Sequence, residues 1–123
     1  MKTIKSALLA LALVATPALA QDCDMPEAPT MPDGATSTME DMLAGQKAVK
    51  TFQAANIDYM SCVEAAMNAA EAAAKDASDE DKAAAQKTLA KLVETYNAAV
   101  SVEEDVAGQF NTEIREYKAA NAD

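Results

Sequence analysis

Chemistry in this sequence can come from three sources: methionine thioethers, two cysteines and two short runs of acids. Histidine is absent. That removes Ser-His-Asp and Cys-His catalysis, imidazole ligation of haem, and most zinc and copper sites. Gly34, Gly45 and Gly108 are too scattered to form a phosphate-binding loop. Met25, Met31, Met39, Met42, Met60 and Met67 carry sulfur of the kind that binds Cu(I). They fall on apolar ridges, however, where methionine is ordinary packing filler. Asp79-Glu80-Asp81 and Glu103-Glu104-Asp105 lack the spaced ligands and central glycine of a calcium loop. We therefore assign no catalytic, cofactor-binding or metal-ligating residue and expect no cofactor. The chain reads as a non-enzyme.

The cysteines, Cys23 and Cys62, form no Cys-x-x-Cys motif, and two cysteines in a small exported domain pair with each other. The first twenty residues supply the export signal. Lys2 and Lys5 make a positive head, Ala7 to Val14 an apolar run too short to span a bilayer, and Ala18-Leu19-Ala20 a small-x-small ending. Cleavage after Ala20 leaves Gln21 at the new N-terminus. A lipidated cysteine would have to follow the cleavage site directly, but Gln21 and Asp22 intervene. The expected product is a soluble periplasmic protein with no membrane span. Loss of Lys2 and Lys5 lowers the basic residues from 10 to 8 against 20 acids, so the net charge moves from −10 to −12. Such a surface repels nucleic acid and anionic lipid.

Two elements must bring the cysteines together. The first is the segment 21–36, where Pro26, Pro29 and Pro32 recur every third residue, the period of polyproline II. The same period lines up Met25, Ala28 and Met31 as an apolar ridge, and Asp33-Gly34 signals a turn. The second is a helix starting near Thr38, with Ser37 and Glu40 as its capping box. Cys62 lies roughly 36 Å along that helix, at about 1.5 Å per residue. The fifteen residues from Cys23 to Thr38 reach roughly 46 Å when extended. A segment folded back along the helix therefore places Cys23 against Cys62, and an intramolecular disulfide is expected, with a disulfide-linked dimer as its rival.

The region 37–123 reads as a helical hairpin domain. Small or apolar residues recur at three- and four-residue steps through Met42, Gly45, Val49, Phe52, Asn56, Tyr59, Val63, Ala66 and Ala70. Leu43, Met60 and Met67 widen the stripe. Ser78, followed by Asp79-Glu80-Asp81, is an N-cap with acids in the first helical turn, so a second helix starts there. Its stripe runs through Leu89, Leu92, Val93, Tyr96, Ala99, Val100, Glu103, Val106, Phe110, Ile114 and Tyr117. The alternative is one unbroken helix of about 80 residues in an extended coiled coil. Matched lengths and a short turn favour an all-α antiparallel two-helix hairpin, with the proline-rich segment packed back on helix 1. A turn near Ala77 makes facing residue numbers sum to about 155, which sets Tyr59 against Tyr96, Val63 against Leu92 and Gly45 against Phe110. Asn56 and Glu103, polar residues on the two stripes, are candidates to fix register or reach water at the rim. A two-helix hairpin buries little apolar surface, and dimerisation into a four-helix bundle would add to it.

Pro-Asp-Gly-Ala-Thr at 32–36, Met42-x-x-x-Gln-Lys-Ala-Val-Lys50, Tyr-Met-Ser-Cys at 59–62, Tyr-Asn at 96–97 and Phe-Asn at 110–111 cover most of the chain beyond residue 20. In these runs the sequence resembles a group of small exported helical proteins from Gram-negative bacteria. The resemblance implies a periplasmic location and brings no functional residues with it. Two functions fit these observations. The leading one is a non-enzymatic periplasmic interaction or structural protein that presents its hairpin to another envelope protein. The other is a holdase-like chaperone or a buffer for small ligands or metal ions.

Overall fold

The computed structural model describes residues 23–123; the expected export signal and the expected cleavage after Ala20 lie outside the described residues. Two helices make up the fold, α1 (Met39–Lys75) and α2 (Asp79–Ala120), roughly 55 and 63 Å long at about 1.5 Å per residue. They pack against each other and there is no strand among the described residues. The unbroken long helix is excluded by the turn at Asp76–Ser78. Ser78 is extended, and its hydroxyl accepts a hydrogen bond from the Asp81 backbone N–H, which restarts the helix.

The start of α1 is shifted by one residue from the expected Ser37/Glu40 box. Thr38 is the N-cap and Asp41 its partner: the Asp41 N–H donates to Thr38 Oγ1, and the Thr38 N–H donates to Asp41 Oδ2. The reason lies upstream. The Asp33 carbonyl accepts from the N–H groups of both Thr36 and Ser37, which holds Ser37 in the preceding turn. Those bonds to Asp41, from the Thr38 hydroxyl and N–H, hold its carboxyl below the ordinary aspartate value.

All nine stripe positions of α1, from Met42 to Ala70, are buried. On α2, Leu92, Ala99, Val106 and Phe110 are buried. Near the turn the core is built from Tyr59, Val63, Ala66, Ala70, Leu92 and Ala99, with Tyr96 packed against it. Near the open end it is built from Met42, Val49, Phe52, Val106 and Phe110. Two residues expected on the stripes lie outside them: Leu43 is 57% exposed and Val93 is 42% exposed. The register agrees with the expected pairing, because Asn56 Nδ2 donates to the carbonyl of Ala99 at 3.1 Å.

The proline-rich segment turns a different edge inward from the one expected. Cys23, Pro26, Pro29 and Pro32, spaced by three, are half-buried, as is Met31, whereas Met25 is 61% exposed and Ala28 is exposed too. Of the Met25–Ala28–Met31 ridge only Met31 packs against the core. The disulfide explains this. Cys23 must face α1, and a three-residue helical period carries Pro26, Pro29 and Pro32 to the same edge.

Candidate functional site

Four places combine residues in ways that packing alone does not require. The first is the disulfide, Cys23–Cys62, with Cα atoms 5.7 Å apart. It is intramolecular and leaves no free cysteine. Between it and Pro32, the segment and α1 enclose an open cleft of about 460 Å³ lined by Pro26, Pro29, Ala48 and Phe52 among others.

The second is a polar node inside the helical seam. Asn56 is only 2% exposed, and its Nδ2 donates both to the Ala99 carbonyl and, at 3.2 Å, to Glu103 Oε2. The two polar residues on facing stripes therefore meet each other. That arrangement penalises a slip of one helix along the other, since any slip strands the amide in an apolar seam.

The third joins the N-terminal turn to the far end of α2. The Gly34 N–H donates to Glu113 Oε2 at 2.7 Å, across 79 residues of sequence. Gly34 is buried, and a Cβ there would collide with the backbone carbonyl of Glu113. Asp33, Glu113 and Glu116 bring carboxylate oxygens within 4.8 Å of one another. The neighbouring Glu113 carboxylate is the main cause of an upward shift of the Glu116 carboxyl, with smaller contributions from desolvation and Asp33. This cluster was not among the acid runs singled out in the sequence. Asp-Gly at 33–34 and the i,i+3 pair Glu113/Glu116 were visible there, but only the fold shows that they meet. The two singled-out runs serve other ends: Asp81 backs the Ser78 cap, and Glu103 meets Asn56.

The fourth is apolar surface left open. At the free end of the hairpin a shallow groove of about 230 Å³ lies between Met39, Leu43 and Gln46 of α1 and Phe110, Ile114 and Tyr117 of α2. Leu43 and Ile57, 57% and 54% exposed, and Val93 are large apolar side chains facing water. Of the six methionines among the described residues, Met42 is buried, Met31, Met60 and Met67 are half-buried against the core, and Met25 and Met39 are exposed.

No helix among the described residues is long and apolar enough to cross a membrane. No family model matches this chain, and neither a curated protein nor a solved structure gives a match.

Proposed function

We propose that this chain is a non-enzymatic periplasmic interaction or structural protein: a helical hairpin that assembles with another envelope component. On this reading the proline-rich segment is a strap across α1, held by the disulfide at one end and by the Gly34–Glu113 contact at the other. The observation that supports the reading is the asymmetry of the hairpin. One side lies beneath Pro26, Pro29 and Pro32, while the other leaves Leu43, Ile57 and Val93 in water. Contiguous exposed apolar surface marks interaction sites, and on this side Leu43 continues into the groove with Met39, Ile114 and Tyr117. The intramolecular disulfide fits an oxidising compartment, in line with the export signal and the resemblance to exported Gram-negative proteins.

A photoreactive amino acid placed at Val93 in intact cells tests this. Covalent capture of a protein at Val93, with none at Lys47 beside the strap, is the expected result. Capture at neither position refutes it. The open-end groove, with Met39 and Leu43 exposed at its edge, favours a holdase as the second reading. Failure to slow the aggregation of an unfolded test protein removes that reading.

A further inference from the structure

The seam between the helices follows a seven-residue repeat. Met42, Val49, Asn56, Val63 and Ala70 are buried on α1; Leu92, Ala99 and Val106 are buried on α2. Residues one position further along share a second repeat beside the seam. On α2 that row is Val93, Val100, Ala107 and Ile114, all apolar, the first exposed and the others half-buried. A helix with one neighbour needs only a narrow seam, whereas a third apolar position per heptad is the pattern of a helix inside a bundle. On α1 the corresponding row is Leu43, Lys50, Ile57, Glu64 and Glu71, all exposed. The groove shared by Leu43 and Ile114 places both rows on one side of the hairpin.

We propose that this side docks a second copy of the chain, antiparallel, about a two-fold axis at Ile57, to give a four-helix bundle. The proposal rests on the reading of this side as an interaction surface and names its occupant. Two features select a second copy over a different partner. Ile57 is the midpoint of α1 (Met39–Lys75), so an axis there gives full overlap of the two hairpins. The same axis sets Lys50 of each copy opposite Glu64 of the other, because both stand seven residues from Ile57. A two-fold interface must be self-complementary in this way. Elsewhere the excess of acids over bases makes identical copies repel, but within seven residues of the axis this row carries one charge of each sign, and Glu71, fourteen residues from Ile57, falls opposite Leu43. Level with Ile57, α2 passes near Ala98, so Tyr96 meets Val100 of the second copy.

Sedimentation velocity of the full exported, oxidised protein at micromolar concentrations provides the test. A dimer is expected. Ile57→Lys sets two like charges on the axis and is expected to give monomer with unchanged helix content by circular dichroism. Lys50→Glu and Glu64→Lys each weaken the dimer on the order of tenfold, and the double charge swap recovers most of that loss. A dimer indifferent to Ile57→Lys, or a swap that recovers nothing, overturns the proposal. So does a monomeric wild type. In that case capture of a different protein at Val93 in cells leaves the broader reading standing, and capture of nothing overturns both.

Discussion

Replacing both cysteines by serine removes the disulfide cross-link between the N-terminal segment and the middle of α1. The sequence separation across the bond is 39 residues. Cross-linking a loop of that length removes chain entropy from the unfolded state equivalent to roughly 4 kcal/mol at 25 °C. Part of this is offset, because in the double variant residues from Cys23 toward Pro29 are free to fray in the folded state and regain about 1–2 kcal/mol of backbone entropy each, less the contacts they lose. The segment beyond Pro32 stays anchored through Gly34 and Glu113, which limits the fraying. The net expectation is a loss of about 2–4 kcal/mol. For a domain of this size that is a fall in Tm of about 10–30 °C. Far-UV circular dichroism with urea and heat, on the oxidised wild type and on Cys23→Ser/Cys62→Ser, measures it; the reduced wild type should match the variant. A loss under about 1 kcal/mol would show that the bond constrains little that the fold does not already constrain, and would refute the strap.

Other substitutions separate the remaining contacts. Gly34→Ala drives a Cβ into the Glu113 backbone and is expected to cost about 1–3 kcal/mol, with faster amide exchange in residues 29–38. Gly108→Ala meets nothing within 4 Å and should stabilise α2 by about 0.5–1 kcal/mol in urea unfolding. Asn56→Ala leaves a void and strips Glu103 of its seam partner, an expected loss of about 2–3 kcal/mol by the same method. The two shifted carboxyls act with opposite sign on pH dependence. Glu116 binds its proton more tightly folded than unfolded, so it destabilises at neutral pH and that cost disappears as pH falls through the carboxylate range. Asp41 is shifted down, so its stabilisation is present above its unfolded pKa and is lost as pH falls through the folded value. In melts followed from neutral to acid pH, Glu116→Gln should raise the neutral Tm and Asp41→Asn should lower it.

How far the fold was legible depended on whether one element or several set the outcome. The α1 stripe was readable residue by residue because a long helix against one partner imposes a single period. The register followed from the turn position, and Asn56 bonded to Ala99 bears it out. The inward edge of the N-terminal segment was misread because Met25, Ala28 and Met31 and the prolines share the same three-residue period. Hydrophobicity favoured the methionines, whereas the Cys23–Cys62 bond sets the phase. The cap moved from Ser37 to Thr38 because the Asp33 carbonyl captures Ser37 first. Asp33, Glu113 and Glu116 form a cluster only through tertiary approach, which no local spacing encodes.

Native mass spectrometry of the protein, purified without reductant from its own cells, decides between these readings. The expected species is an assembly of two chains, each starting at Gln21 and two hydrogens lighter than the reduced form, with no metal or small molecule retained. A monomer with free thiols, or one holding a stoichiometric ligand, contradicts it.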